Sequence, residues 1–217
     1  MRVLGEWSQP GWLLRLAIAE PSDAGTRVRL SAGEQQRAAR FVRAEDRAAY
    51  VAAHLVARDC AASVAGCEAA ELGEWRQECA TCAGARGRLH GRPGFAGRSE
   101  LGISLAHSGS WVAALAGPPG VGVDLEVFGR GAGAPRRLLP ADEVRWLERH
   151  DGERDLLRLW CRKEALFKAG VGTEPAGIAV LDEQEPATRL AGHRLLEPDW
   201  RDGVLVAALP VGSPEAE

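Results

Sequence analysis

Near the middle of the chain, Gly117-Pro118-Pro119-Gly120 interrupts any regular element. Adjacent prolines fix φ and remove backbone donors, and flanking glycines favour turns, so neither a helix nor a central strand runs through. The break leaves two stretches of roughly 100 residues, each long enough to bury a small core. The chain is therefore expected to fold as two halves, residues 1–117 and 118–217. Both halves mix helical and strand patterns, so the class is α+β.

Bulk properties narrow the function. Of 217 residues, 46% are hydrophobic and 26% charged, which suits a globular chain rather than a disordered one. The net charge of −3 provides no global basic field for nucleic acid. An anionic ligand would need a local cluster of basic groups. No run approaches the ~20 apolar residues that span a bilayer, so no membrane partner is expected. Arg15 breaks the apolar run of residues 12–18, which reads as a strand rather than a signal peptide. A cytoplasmic monomer is expected. Five cysteines at irregular spacing do not form a secreted disulfide framework. Cys79 and Cys82 precede His90 and could begin a zinc site, but no second Cys-x-x-Cys completes one.

Along the chain, residues 11–19 read as a strand and 31–62 as helix in two parts. Ser31 and Glu34 form a capping-box pattern. Phe41, Val42, Tyr50, Val51, Leu55 and Val56 supply an apolar stripe, while Arg37, Arg40, Arg43, Arg47 and Arg58 are expected on a solvated face. Residues 66–100 read as loop. Strands at 101–105 and 111–116 flank a His107-Ser108-Gly109 turn and make a hairpin. A strand at 121–126, a Gly/Ala loop at 129–135, helices at 140–150 and 153–169, and strands at 178–181 and 204–209 complete the second half. Residues 213–217 are expected to fray.

Three short stretches carry chemistry. In Gly122-Val123-Asp124-Leu125-Glu126 the alternation turns Val123 and Leu125 to the core and Asp124 and Glu126 together to the other side. Two adjacent carboxylates call for a raised pKa or a bound cation, and hard oxygen ligands suit magnesium; two solvated acids are the plain alternative. On the second helix Trp160, Glu164, Phe167 and Lys168 share one face. There Glu164 could complete a metal site and Lys168 could meet a phosphate. His107 in the hairpin turn could contact a phosphate, act as a base, bind a metal, or simply be exposed.

These stretches, in this order, resemble the 4′-phosphopantetheinyl transferases of the surfactin-synthetase-activating type. The resemblance is carried by Gly91-Arg92-Pro93, Ala106-His107-Ser108, Gly122 to Glu126 and Trp160 to Lys168, together with Phe41, Asp46, Arg47, Tyr50 and Arg58 upstream. It covers residues 35–172. It implies a pseudo-dimer of two similar α+β subdomains with the active site in the cleft between them. Residues 1–117 would supply coenzyme A nucleotide contacts and 118–217 the metal ligands and catalytic helix. It implies transfer of 4′-phosphopantetheine from coenzyme A to a serine of an apo carrier protein, releasing adenosine 3′,5′-bisphosphate. Asp124, Glu126 and Glu164 would hold magnesium, and Arg47, Arg92, His107 and Lys168 would contact coenzyme A. Glu164 and Lys168 would be catalytic, with Glu164 acting as base or only as metal ligand. Carrier proteins of polyketide or non-ribosomal peptide synthesis are the implied acceptors. Arg136 and Arg137, after the Gly/Ala loop and beside Leu138 and Leu139, read either as a docking patch for such an acidic partner or as a solvated loop end. Ala106 departs from the family's serine, and Ala49 from a basic residue found in some relatives. A carrier- or nucleotide-binding module of the same fold without strong catalysis is the alternative. A zinc-containing nucleic-acid binder is a third reading, resting only on Cys79, Cys82 and several arginines.

Overall fold

The computed structural model describes residues 1–20, 30–78, 91–129, 136–150, 152–182, 185–186 and 188–211. Cys79, Cys82, His90 and the 213–217 tail lie outside the described residues. By its internal contacts the chain divides into Met1–Pro119 and Gly120–Glu217.

In the first unit, strands β1 (Arg2–Gln9) and β2 (Trp12–Ile18) form a hairpin turned at Gly11, whose φ of 89° suits glycine. Helices α1 (Ala32–Ala39) and α2 (Ala44–Ala65) follow. A two-stranded ribbon, β3 (Trp75–Glu78) with β4 (Arg92–Phe95), precedes a second hairpin, β5 (Gly102–Ser108) with β6 (Trp111–Gly117). The main sheet is antiparallel in the order β1-β2-β6-β5. Helix α2 lies on it through Ala52, Ala53, Val56, Cys60 and Ala61, which meet Leu13, Ala17, Ile103, Val112, Ala114 and Ala116. The many small residues let the helix approach the strands closely.

Several expectations change here. β1 was not foreseen, because it is an edge strand with mostly exposed residues and no buried alternation. His107 is not in the turn. Ser108 pairs with Trp111, which leaves a two-residue turn at Gly109-Ser110 and keeps His107 on β5 opposite Val112. Val42 lies in the break between α1 and α2 and is 96% exposed, so it leaves the apolar stripe. Ala49 is fully buried, so a basic side chain at that position would enter the core. The segment read as loop contains the β3–β4 ribbon.

Arg58 is buried rather than solvated, and the reason is a charged knot. The capping box at Ser31 and Glu34 is present, but Glu34 does more than cap. Its carboxylate accepts from Arg58 Nη1 (2.8 Å) and Nη2 (2.5 Å) and from His54 Nδ1 (2.6 Å). Although burial opposes charge on Glu34, these donors and Ser31 hold its pKa at about 2. Such a carboxylate only accepts, so Nδ1 of a neutral His54 carries the proton. Burial, which outweighs Glu34, lowers the His54 pKa. The Arg58 guanidinium sits 4.8 Å from the Trp75 ring centroid and 5.8 Å from that of Phe95, tying the β3–β4 ribbon to α2.

The second unit opens with β7 (Gly122–Val127), followed by α3 (Ala141–His150) and α4 (Glu153–Ala169), which ends at Gly170 in the left-handed region. Short strands β8 (Leu181–Asp182), β9 (Glu185–Pro186) and β10 (Arg189–Leu190) lead to β11 (His193–Leu196) and β12 (Gly203–Pro210). The main sheet is antiparallel in the order β10-β11-β12-β7, with α4 on β7 and β12. Residues 178–180 are not strand as expected. The Lys163 ammonium takes the Ile178 carbonyl, and Val180 N–H donates to Glu143 Oε1 (3.2 Å), so side chains replace a ladder. Lys163 and Glu143 form a buried ion pair at 2.8 Å. Burial, against the pull of Lys163, raises the Glu143 pKa.

Both units share one connection. A strand leads into a long helix that lies on the sheet, and the last strand of a later antiparallel pair returns beside the first strand. The sets are β2, α2, β5–β6 and β7, α4, β11–β12. A buried helix thiol faces a carbonyl of that last strand in each: Cys60 to Ala114 (3.7 Å) and Cys161 to Val204 (3.8 Å).

The knot makes stability pH-dependent. Glu34 has a folded pKa of about 2 against an ordinary 4.5, so its contribution of about 3 kcal/mol is complete above pH 4.5 and lost as pH falls toward 2. His54 must stay neutral, so its cost begins as pH falls through 6.5. Thermal melts across this range should show the midpoint falling on acidification. Glu34→Gln should lower stability at pH 7 by about 3 kcal/mol, since it strands Arg58, and should flatten the slope below pH 4.5.

Candidate active site

The site in the second unit starts from a close approach. A Cβ added to Gly122 would stand 1.9 Å from the Ala165 carbonyl oxygen and 2.7 Å from the Ala169 nitrogen. Glycine therefore lets β7 touch the backbone of α4, with small Ala165 and Ala169 on the helix side. The contact sets the acidic residues of β7 against the polar edge of α4.

Asp124, with 7% exposure, is buried on β7 opposite Val206. Its Oδ1 accepts from Lys168 Nζ at 2.7 Å, and the same ammonium donates to the Val123 carbonyl at 3.2 Å. Burial opposes the Lys168 charge, but the Asp124 and Glu164 carboxylates outweigh it and raise the pKa. The other Asp124 oxygen, Oδ2, is buried without a hydrogen-bond partner. The neighbouring Cys161 thiol, 3.8 Å from the Val204 carbonyl, also interacts with the Asp124 carboxylate, but only as a weak donor. Burial pushes the Cys161 thiol up, and the Asp124 and Glu126 carboxylates push it further. Glu126 is half-buried, one step nearer the strand end.

Glu164 is half-buried on α4. Burial raises its pKa, as do the carboxylates of Asp124 and Glu126, while Lys168 pulls it down. The four predicted residues of this unit therefore share one electrostatic environment. Among the described residues no three His, Cys, Asp or Glu side chains are grouped as a metal cage. The donor chemistry does fit a hard divalent cation: a buried carboxylate oxygen has an unmet demand, and two further carboxylates raise one another's cost of ionisation. Phe167, at 37% exposure, leaves the aromatic face of α4 more open than expected; the buried face is Leu157, Cys161, Ala165, Leu166 and Ala169.

The other predicted residues belong to the first unit. His107 is exposed on β5. Arg92 is exposed and lines a cavity of about 310 Å³ with Arg76 and Arg98, backed by Phe95 and Leu101. Arg47 is used locally: its Nη2 donates to the Phe41 carbonyl at 2.8 Å across the α1–α2 turn. The sequence reading missed Arg76 and Arg98, which sit on opposite sides of the β4 strand in sequence and carry no spacing signal. It also missed the buried Glu143–Lys163 pair, although Lys163 immediately precedes Glu164.

Residues 120–200 match the family model of the 4′-phosphopantetheinyl transferase superfamily.

The matched span contains Asp124, Glu126, Glu164 and Lys168, and it supports that superfamily. No curated protein matches the chain. The phosphopantetheinyl transferase match falls within the second unit, where β7 and α4 bring the acidic residues and Lys168 to one place.

Gly122→Ala should push β7 off α4 and cost about 2 kcal/mol or more, as overpacking against backbone does. Gly94→Ala, where an added Cβ meets nothing within 4 Å, should change stability by less than about 0.5 kcal/mol. Urea unfolding of both variants checks the difference.

Proposed function

We propose that the protein transfers the 4′-phosphopantetheine group of coenzyme A to a serine of an apo carrier protein. The observation that carries this reading is the meeting of Asp124, Glu164 and Lys168 across β7 and α4, inside the segment matching the superfamily. Asp124 and Glu126 are the residues that would hold magnesium, with Glu164 as third ligand or base. Magnesium, when bound, supplies positive charge to phosphate oxygens.

The chemistry asks the chain for position and charge more than for a covalent partner. The serine hydroxyl attacks the phosphorus nearest pantetheine, the phosphoanhydride bond breaks, and adenosine 3′,5′-bisphosphate leaves. Glu164 takes the serine proton at its carboxylate; its half-buried place beside other carboxylates makes it a better base than a solvated glutamate. Lys168 meets the negative charge gathering on the leaving phosphate. Arg92 and His107 bind the nucleotide end, with Arg76 and Arg98 extending the positive lining around Arg92. Among family types, the surfactin-synthetase-activating one fits best. Gly91-Arg92-Pro93 and the His107 hairpin accompany the acidic strand and helix, which favours carrier proteins of polyketide or non-ribosomal peptide synthases. Exposed Arg136 and Arg137, beside exposed Leu138 on a short 3₁₀ turn, suit an acidic carrier surface.

Incubating an apo carrier protein with the enzyme, magnesium and coenzyme A should add one phosphopantetheine mass to its serine by mass spectrometry; no gain with several carriers would leave a binding module instead. Glu164→Gln should slow transfer by roughly 100-fold or more, and turnover near wild type would remove Glu164 from both roles. Reversing Arg136 and Arg137 to Glu should raise KM for the carrier with kcat little changed; an unchanged KM removes the patch.

A further inference from the structure

Lys168 touches Asp124 rather than standing open for a ligand, and that contact has a mechanical meaning. Its ammonium spans Asp124 Oδ1 (2.7 Å) and the Val123 carbonyl (3.2 Å), while Oδ2 of the same carboxylate is buried and unpartnered. Three carboxylates, from Asp124, Glu126 and Glu164, act on one another here, and Lys168 is the ammonium that offsets them. We infer that Lys168 is the resident counter-cation of Asp124. It holds the carboxylate while no divalent cation is present, gives it up when one is loaded, and is thereby released toward the substrate's phosphate. The inference rests on the metal site proposed above.

The side-chain chemistry suits an exchange. A lysine is a compact charge on a flexible stem, whereas an arginine fork would grip both oxygens of Asp124 and block the cation. The Lys168 side chain is 31% exposed, so it has solvent to swing into, and the Asp124 side chain is 10% exposed, so one oxygen can change partners without unfolding the strand. Against three carboxylates a divalent cation leaves one net negative charge where the ammonium leaves two, so it is the stronger counter-charge, and a cation on the Asp124 oxygens repels the ammonium from that carboxylate. Lys163 behaves oppositely: its side chain is 0% exposed and locked on Glu143. These are the two lysines of the whole chain, five residues apart on α4, so a lysine-specific probe compares an exchanging ammonium with a fixed one.

Two measurements test this without reading activity. Magnesium chloride is titrated calorimetrically into the wild-type protein and Lys168→Gln. Lysines of the folded wild-type protein are also acylated briefly with and without magnesium, and the peptides are quantified by mass spectrometry. Removing the competing ammonium should tighten magnesium binding by on the order of tenfold, about the worth of one partly buried ion pair. Magnesium should raise labelling of Lys168 severalfold while Lys163 stays poorly labelled. If the wild type binds magnesium but Lys168→Gln binds no tighter, or Lys168 labelling does not rise, the exchange is wrong and the metal site stands. If the wild type binds no magnesium, the metal site fails and the exchange falls with it. The labelling arm uses wild-type protein only, so it decides the matter even if Lys168→Gln folds poorly.

Discussion

Backbone meets backbone where Gly122 faces Ala165 and Ala169, and the second unit is organised around that contact. A Cβ on Gly122 would meet the Ala165 carbonyl oxygen at 1.9 Å, so β7 or α4 would have to shift. With glycine there, Lys168 reaches Asp124, and Glu164 comes into the field of Asp124 and Glu126. The same close packing buries Cys161 and Asp124 together, which leaves one carboxylate oxygen buried with no donor stronger than a thiol. A buried oxygen without a donor costs free energy unless a cation or proton answers it. The packing contact and the site chemistry are thus one arrangement.

The matched connections let the two units be compared position by position. Taking the thiol contacts of Cys60 and Cys161 as equivalent aligns Ala114 of β6 with Val204 of β12. Their cross-strand neighbours are then Arg15 and Glu126, and two residues further along, Leu13 and Asp124. The first unit carries a core leucine and an arginine paired with Glu6 where the second carries its acids. The shared connection thus carries carboxylates on β7 but none at the matching positions of β2.

What could be read from the residues was local. The α4 helix was legible over its full length because its amphipathic run is bounded by Gly152 and Gly170. The β5–β6 hairpin and the Ser31 capping box were legible for the same reason: each depends on neighbours a few residues apart. Motif order marks Asp124, Glu126, Glu164 and Lys168 as a set of candidates, but the contact of Lys168 with Asp124 has no sequence signal, since the two are 44 residues apart. Arg58 was read as solvated because arginines usually are, and only the fold brings Glu34 and His54 to it. The β3–β4 ribbon and β1 were missed because short or exposed strands bury too little to leave an alternating pattern.

The buried Glu143–Lys163 pair has a further consequence for the segment that follows α4. Residues 176–180 hang on it through the Ala176 and Ile178 carbonyls and the Val180 amide. To a protease, a chain held this way offers no easily peeled end: freeing it would expose an ammonium's carbonyl partners and a carboxylate at once, inside the core. Nicking should therefore follow opening of the whole second unit rather than fraying of this stretch, and the helix bearing Glu164 and Lys168 keeps its support for as long as that unit stays folded.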